Sequence, residues 1–356
     1  MMIQNINSIT DENLKTTLTQ YAAEAEHYAR DFPDPIARAS LATTKICTEF
    51  LALDDMLGGG LAEGTLTVLR GCPGSGKTTF TTQLAKHWAA QGNLVIYYGC
   101  EDSYITLRTK MLTQELFQLA GCDPASIPST ADQLNPALYP DFSSGLWKSI
   151  RDCHNDLTTA LNYDAPDNCG SNFIYINCSE LSAIDIVRYT NELKKSTGKK
   201  PIVIVDYLQR LCSPIEDYNG SGADKISVDE NIHLLKDLAV SMSTIVFVLG
   251  SIAKSCFAKP ASPDADEGSN QILHTADNLI AICPEDAKKE TKLDDSNVRD
   301  TLFRFIKHRG GQLGSVPFKY FSSADFFHCD GLETGDMRVV SSSAFRANFN
   351  AEYSAS

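Results

Sequence analysis

Apolar runs of strand length alternate with helical patterns from about residue 41 onward. The runs that we interpret as strands are 65–71, 93–99, 173–178, 201–206, 244–250, 278–283 and 301–307. The helical patterns between them cover about 77–91, 103–120, 181–197 and 229–242. Strands that alternate with helices are typical of βαβ units around a mostly parallel sheet. The pattern therefore predicts an α/β domain with one twisted sheet flanked by helices, over residues 41–330.

Two further segments flank this pattern. Residues 11–30 carry leucine, tyrosine and alanine at helical spacing, which predicts an amphipathic helix that either lies on the main domain or docks on a partner. We therefore expect residues 1–40 to form an N-terminal helix and linker, and the polar residues 331–356 to form a C-terminal tail. Stretches rich in proline, serine, glycine or acidic residues, expected to be loops, are 121–142, 213–228 and 254–271.

Composition limits the functional classes. The chain has 356 residues, 43% of them hydrophobic, and a net charge of -14, which indicates a soluble globular protein of one large domain plus an appendage, or of two small domains. An acidic chain lacks a diffuse positive field, so any contact with nucleic acid has to be local or made by a ring of subunits. The most apolar long stretch, residues 238–253, is interrupted by serine, threonine and glycine, so we expect no membrane span.

The cysteines indicate the redox compartment. Eleven cysteines and seven histidines are scattered along the chain without a C-x-x-C pair, which disfavours a disulfide framework and a zinc site. The N-terminus shows no basic cluster followed by an apolar stretch, so no secretory signal is expected. These features predict reduced thiols and a cytoplasmic location.

The segment GCPGSGKT, residues 71–78, fits the phosphate-binding pattern G-x-x-x-x-G-K-[ST]. It follows a predicted strand and opens a predicted helix, which is the context that this pattern requires. Backbone N–H groups would surround a phosphate there, Lys77 would reach the β and γ phosphates, and Thr78 would bind Mg²⁺. The alternative is a chance glycine-rich turn. The candidate nucleotide-binding residues are Gly71, Pro73, Gly74, Ser75, Gly76, Lys77, Thr78 and Thr79.

Two carboxylates are expected at the same edge of the sheet. Asp206 ends PIVIVD, whose consecutive apolar residues predict a strand buried on both faces, and open α/β sheets bind ligands at the carboxyl ends of their strands. It is the candidate to hold Mg²⁺ with Thr78, or else a helix cap or turn residue. Glu101 follows the strand NLVIYYG and is the candidate to orient and deprotonate water. Asp102 is its rival, and both side chains are alternatively caps of the helix that starts near Ser103.

Several motifs together resemble the motor domain of DnaB-type replicative helicases, which has the RecA fold. They are FLALDDMLGGGL before the phosphate loop, the glutamate after the next strand, and IVIVDYLQ. The likeness is collinear over roughly residues 41–325, and LDDMLGGGLAEG is also similar to RadA and KaiC-type relatives. It implies a RecA-like P-loop NTPase with C-terminal antiparallel strands beside the parallel sheet. ATP and Mg²⁺ are the implied ligands, and Gln209 is a further candidate for the nucleotide site.

In this family a K-x-R pair at the end of a strand reaches across the subunit boundary to the neighbour's ATP. Lys307 and Arg309 in RFIKHRGGQLG stand at that motif. A planar guanidinium suits the charge that spreads over the phosphoryl group in transfer. The resemblance implies a homo-oligomeric ring, a hexamer in the family, in which each subunit completes its neighbour's active site. The alternative is a solvated hairpin tip whose basic residues deter aggregation.

The chain departs from the family at its DNA-facing positions. Ser251 stands where the family has a glutamine after the strand 244–250, and the acidic run PDADEG replaces a basic residue of the DNA loop. Acidic side chains repel a phosphate backbone. The remaining candidates for DNA contact are Lys254, Lys259, Gly268, Ser269 and Asn270.

The sequence thus predicts a Mg²⁺-dependent ATPase, foremost a DnaB-like helicase or translocase that acts on single-stranded DNA in replication, with loader or replication proteins as further partners. The second hypothesis is a RecA-family ATPase that serves as a loader, regulator or recombination accessory without unwinding DNA. In that case the acidic loop binds protein. The third is a small-molecule kinase on a P-loop fold, although no arginine-rich lid is visible in the sequence.

Overall fold

A nine-stranded sheet forms the centre of the structure. The computed structural model describes residues 44–119, 155, 172–214, 223–257, 259–263, 265, 271–284 and 298–329. The strands are β1 Lys45–Ile46, β2 Leu61–Ala62, β3 Leu66–Gly71, β4 Leu94–Gly99, β5 Phe173–Asn177, β6 Pro201–Asp206, β7 Val246–Ser251, β8 Asn278–Pro284, β9 Val298–His308, β10 Ser315–Phe321 and β11 Phe326–Cys329. The helices are α1 Leu51–Met56, α2 Lys77–Ala90, α3 Tyr104–Leu119, α4 Ala183–Thr197, α5 Ala223–Met242 and α6 Gln271–Thr275.

The strand order confirms the predicted fold class. Across the large sheet the order is β11-β10-β9-β8-β3-β7-β6-β4-β5, while β1 and β2 form a separate pair. Every pairing from β8 through β3, β7, β6 and β4 to β5 is parallel, and β9, β10 and β11 continue the sheet in antiparallel pairings. The sheet is therefore mostly parallel with C-terminal antiparallel strands, and the ends of β3, β4, β6 and β7 meet at one carboxyl edge.

Helices cover both faces of the parallel strands, as the alternation of strands and helices predicts. Successive strand side chains point to opposite faces, so Leu69 packs with Phe80 and Trp88 of α2, while its neighbour Val68 packs with Ile232 of α5 on the other face. All residues of β3, β4 and β6 are buried. Burial on both faces explains why β4 and β6 read as nearly continuous apolar runs, whereas β3 also buries Thr67 and Arg70.

The structure differs from the predicted elements at several boundaries. Helix α5 begins at Ala223 within a stretch expected to be a loop, and β9 begins at Val298, before the predicted residue 301. The short elements β1, β2, α1 and α6 were not predicted. The predicted segments 1–40, 121–142 and 331–356 lie outside the described residues. Within the described part of the chain, no helix combines the length and the apolar character that a membrane crossing needs.

Candidate nucleotide-binding site

The loop between β3 and α2 has the backbone of a phosphate cradle. Gly74 and Gly76 have φ angles of 73° and 88°, a left-handed region that glycine adopts without strain. Lys77, the first residue of α2, donates hydrogen bonds from Nζ to the carbonyl oxygens of Gly71 at 2.9 Å and Cys72 at 3.0 Å. Burial lowers the pKa of Lys77, and the nearby negative charge of Asp206 opposes this. The ammonium group is thus folded back onto the phosphate loop.

The two predicted metal ligands meet at this loop. Thr78 Oγ1 donates a hydrogen bond to Asp206 Oδ2 at 2.9 Å, and Tyr97 Oη donates to the same oxygen at 2.8 Å. Burial raises the pKa of Asp206 to about 6, while the hydrogen bonds from Tyr97 and Thr78 oppose the shift. A hydroxyl and a carboxylate oxygen beside the start of a helix are the groups that Mg²⁺ and phosphate prefer. The residues present therefore fit a nucleotide with Mg²⁺.

Glu101 lies at the same edge, as predicted. Gly99 on β4 is in register with Asp206 on β6, and the N–H of Cys100 donates to the carbonyl of Asp206 at 2.7 Å. The next residue, Glu101, carries a side chain that is 51% exposed. The capping alternative is wrong, because Ser103 supplies the cap: its Oγ accepts the N–H of Thr106 at 3.1 Å.

Asp102, the rival of Glu101, lies in a more enclosed position. Burial raises its pKa, and the positive charge of Lys110 opposes the shift. Its carbonyl oxygen accepts a hydrogen bond from Tyr175 Oη at 2.7 Å. The contacts of its backbone therefore serve to hold the turn that delivers Glu101, while the choice between the two carboxylates as base stays a prediction.

Lys307 and Arg309 bind groups of their own subunit. Lys307 Nζ donates to the carbonyl oxygens of Leu273 and His274, each at 2.8 Å. Arg309 donates from Nη1 to Asp277 Oδ1 at 3.2 Å and from Nη2 to the His274 carbonyl at 3.0 Å. The Arg309 side chain remains 53% exposed. Both cations thus gather at the start of β8, around the C-terminal end of α6.

The start of β8 is the opposite edge of the sheet from the phosphate loop. Through Asn278, His308 on β9 is in register with Thr67 on β3, four residues before Gly71. Arg309 is one residue further away. At ~3.3 Å per strand residue the separation along the strands exceeds about 13 Å, and two strand spacings add about 10 Å across the sheet. Arg309 therefore cannot reach the phosphate loop of its own chain.

Gln209, predicted at the nucleotide site, contacts the end of β7 instead. Its Oε1 accepts the N–H of Ser251 at 3.1 Å, and its Nε2 donates to the Ser251 carbonyl at 3.5 Å. The amide side chain therefore links the turn after β6 to the position where the family has its own glutamine. A direct contact of Gln209 with nucleotide stays a prediction.

The DNA-binding candidates are only partly described. Lys254 begins a 3₁₀ turn after β7, and Lys259 follows it; both are exposed. Gly268, Ser269 and Asn270 lie outside the described residues. The two lysines therefore stand near the carboxyl edge, on the segment that leaves the strand next to β6.

Sequence reasoning missed a group of side chains behind the phosphate loop. Arg299 on β9 donates from Nη1 to the carbonyl oxygen of Gly74 at 3.2 Å, and its guanidinium lies 5.8 Å from the centre of the Tyr320 ring. Tyr320 stacks on Phe327 with ring centres 4.5 Å apart, and both rings stand against Gly76. The antiparallel strands therefore pack against the phosphate loop, and no local sequence motif predicts this contact.

The expectation of reduced thiols is wrong for one pair of cysteines. Cys100 and Cys178 form a disulfide with Cα atoms 4.9 Å apart, although 78 residues separate them in the chain. The parallel register explains the pairing, because Gly99 on β4 lies opposite Asn177 on β5 and each cysteine is the next residue. The bond therefore joins the two strand ends immediately before Glu101.

Comparison with known families agrees with this geometry. Residues 45–120 match the model of the DnaB-like helicase C terminal domain. The structure of an ATPase domain from another protein superposes with a TM-score of 0.65, at 20% identity, over 91% of this chain and 100% of that domain. A DnaB-like replicative helicase superposes with a TM-score of 0.64, at 19% identity, over 91% of this chain and 73% of that one. The RecA-like fold and the predicted resemblance to DnaB-type motor domains are confirmed.

DNA repair proteins named RadA are also similar in sequence. The protein from Mycobacterium tuberculosis is 32% identical over 112 residues, which are 29% of this chain and 23% of the relative. The protein from Campylobacter jejuni is 42% identical over 81 residues, 21% of this chain and 18% of the relative. The protein from Halalkalibacterium halodurans is 24% identical over 207 residues, 56% of this chain and 43% of the relative. The chain thus spans less than half the length of each relative.

Proposed function

We propose that the chain is the motor of a ring-forming, Mg²⁺-dependent ATPase, a DnaB-like helicase or translocase that acts on single-stranded DNA in replication. The observation that carries the proposal is the separation of two groups of candidate residues on one sheet. Lys77, Thr78 and Asp206 lie at the carboxyl edge, whereas Lys307 and Arg309 lie at the amino edge. One chain cannot bring the two groups together, but successive copies in a closed ring would.

On the phosphate side, each residue has a distinct task. Lys77 would exchange its two carbonyl acceptors for phosphate oxygens, which makes stronger, charge-assisted hydrogen bonds. The Thr78 hydroxyl and the Asp206 carboxylate would hold Mg²⁺, whose charge would offset that of the phosphates. Glu101 would orient the attacking water and take its proton.

On the opposite edge, Arg309 would serve the ATP of the neighbouring subunit. A guanidinium placed on the phosphoryl group in transfer is typically worth ~10³ to 10⁵ in rate. The half-exposed side chain of Arg309 can turn away from Asp277, because that carboxylate keeps Lys236 as a partner at 2.6 Å. Lys307 donates to the same His274 carbonyl oxygen as Arg309 and would move together with Arg309. Hydrolysis would therefore require assembly.

Single-stranded DNA is the proposed substrate of the motor. Lys254 and Lys259 follow β7 near the carboxyl edge, where nucleotide-dependent changes would reach them through Gln209 and Ser251. The net charge of -14 makes a broad electrostatic attraction to DNA unfavourable, so a ring that repeats these few lysines suits the task better than a single subunit. Loader and replication proteins are proposed as further partners, and the cytoplasm as the location.

A non-unwinding RecA-family ATPase that acts as loader, regulator or recombination accessory is the second candidate. Two observations favour it: Ser251 in place of the family's glutamine, and the curated relatives that are DNA repair proteins. In this case the acidic stretch after β7 would bind a protein partner.

ATP turnover measured with and without single-stranded DNA separates these candidates. The translocase proposal expects stimulation that falls steeply between about 50 and 200 mM salt, because phosphate contacts release counterions. Absence of stimulation at low salt would contradict it in favour of the second candidate. Transfer of phosphate from ATP to a metabolite by the isolated subunit would instead indicate the kinase.

A subunit-mixing experiment tests the shared active site. Lys77→Ala and Arg309→Ala should each be inactive alone. In a 1:1 mixture about a quarter of the sites should be complete, because each site needs an intact phosphate loop from one subunit and an intact Arg309 from its neighbour. Arg304→Ala is the matched control, because Arg304 is an exposed arginine on β9, the strand that ends just before Arg309; it should stay active throughout. Mixtures that remain inactive, although particle mass shows that the variants assemble together, would refute the shared-site model.

A further inference from the structure

Arg210 links the candidate base Glu101 to the turn that follows β6. The guanidinium donates from Nη2 to Glu101 Oε1 at 3.2 Å and from Nε to Tyr207 Oη at 3.2 Å. Its own N–H donates to the Tyr207 carbonyl at 3.2 Å, which fixes the 3₁₀ turn Leu208–Arg210. Three side chains from the ends of β4 and β6 thus form one network beside Asp206. No task in the proposed hydrolysis accounts for the arginine.

The ion pair is held weakly enough to be exchanged. The side chains of Arg210 and Glu101 are 62% and 51% exposed, and exposed pairs of this kind contribute little because water screens them. A guanidinium with free N–H groups binds a phosphate through two parallel hydrogen bonds. An incoming phosphate can therefore compete with the carboxylate of Glu101 for Arg210.

The turn that carries Arg210 is also tied to the segment that leads to the candidate DNA contacts. Gln209 binds both the N–H and the carbonyl of Ser251 at the end of β7, and Lys254 begins the next turn. Because β6 and β7 are neighbours in the sheet, Arg210 and Lys254 both emerge at the carboxyl edge. A polyanion that runs along this edge from the end of β4 to the end of β7 would pass both Arg210 and Lys254.

We propose that Arg210 is a phosphate-responsive positioning residue: it holds Glu101 away from the attacking water until a backbone phosphate of single-stranded DNA takes its guanidinium and releases the carboxylate. This inference rests on the proposed function, since it assigns to one residue the coupling between DNA and ATP hydrolysis. It also supplies a coupling route in a chain that lacks the family's glutamine after β7.

The test compares ATP turnover of the full-length wild type and Arg210→Gln, with ATP alone and with saturating single-stranded DNA. Arg210→Gln should raise turnover without DNA by up to about five-fold, the most that an exposed pair of this kind is typically worth. The stimulation by DNA should fall by the same factor, and the KM for ATP should not change. Arg210→Lys, which keeps a charge but not the two-pronged geometry, should fall between the two.

Two further variants make the result specific. Arg188→Gln is the matched control, because Arg188 is an exposed arginine that pairs with Asp185 at 3.0 Å on α4, away from the site; it should match the wild type. Tyr207→Phe removes the hydroxyl that holds Arg210 Nε and that also interacts with Glu101, and it should raise turnover without DNA in the same direction. Measurement of particle mass should show that all variants assemble to the same extent as the wild type.

The outcomes separate this inference from the function on which it rests. If DNA does not stimulate the wild type, the translocase proposal fails and the inference fails with it. If DNA stimulates the wild type but Arg210→Gln shows the same turnover and the same stimulation, only the inference is overturned. A variant that loses turnover in both conditions also overturns it, because Arg210 would then support Glu101 instead of restraining it. If Arg210→Gln raises turnover with ATP alone but DNA still stimulates it as much as the wild type, the phosphate that competes for Arg210 is not that of DNA, and the inference is wrong.

Discussion

Glu49→Gln should stabilise the protein at pH 8 much more than at pH 5. Glu49 lies between β1 and α1, with Oε2 3.7 Å from His87 Nδ1 and a side chain that is 17% exposed. Its Oε1 is buried and makes no hydrogen bond with the described residues. Burial raises the pKa of Glu49 from 4.5 to about 7, and the positive charge of Lys86 opposes the shift. Glutamine keeps the shape and removes the charge that is costly to bury.

The magnitude follows from proton linkage. A pKa raised on folding means that the native state holds a proton that the unfolded state releases, so stability is present below pH 4.5 and is lost as the pH rises through 7. At ~1.4 kcal/mol per pKa unit the full loss is about 3 kcal/mol. Water that reaches the exposed part of the side chain reduces it, so we expect the advantage of Glu49→Gln to grow by about 1 to 2 kcal/mol between pH 5 and pH 8.

The assay is urea unfolding of both proteins at several pH values, with the difference in free energy as the readout. The difference isolates Glu49 from His87, whose pKa burial lowers to about 4 and which titrates in both proteins. Glu192→Gln is the matched control, since that side chain is 66% exposed; its difference from the wild type should not vary with pH. A Glu49→Gln difference that is equally flat would refute the reasoning, because it would mean that the carboxylate remains solvated in the native state.

Three further predictions concern the nucleotide site and the cysteines. Gly76→Ala should abolish binding of an ATP analogue, because the φ of Gly76 is 88° and an added Cβ would lie 2.7 Å from an aromatic ring of β11. Gly92→Ala is the control: Gly92 has a φ of 85° but open space around it, so this variant should lose only about 1 to 2 kcal/mol of stability and should still bind the analogue. Arg299→Ala should raise the KM for ATP several-fold with kcat nearly unchanged, because it removes a contact with the phosphate-loop carbonyl, whereas Arg304→Ala on the same strand should not. Alkylation under denaturing conditions, followed by mass measurement, should leave at least two of the 11 cysteines unlabelled until a reductant is added; full labelling without reductant would contradict the disulfide.

The elements that sequence reasoning predicted well are those whose burial is complete. Strands β4 and β6 have no exposed face, so their apolar runs are nearly unbroken and their ends can be located. Helix α5 was predicted too short because its first residues, ADKISV, mix polar and apolar side chains and directly follow the turn-forming residues NGSG. Helix starts of this kind depend on tertiary packing, which a local pattern does not contain.

The parts of the site that the sequence did not predict depend on strand order. Glu101 and Asp206 belong to recognisable motifs, but Arg210 and Arg299 lie in none. Their contacts exist because β4 is the neighbour of β6, and because β9 returns antiparallel so that its first residues lie beside the phosphate loop. The disulfide likewise depends on the register of β4 and β5. Spacing along the chain indicates which residues have chemistry to offer, whereas pairing in the sheet decides which of them meet.

Strand β9 touches one nucleotide site with its beginning and, in the proposed ring, the next site with its end. Arg299 contacts the phosphate loop of its own chain, and Lys307, about 26 Å further along at ~3.3 Å per residue, stands beside Arg309 at the opposite edge. β9 is hydrogen-bonded to β8 on one side and to β10 on the other. Each subunit would therefore connect two consecutive catalytic sites. The occupancy of one site by nucleotide would affect the rate of hydrolysis at the next without any signal passing through the DNA.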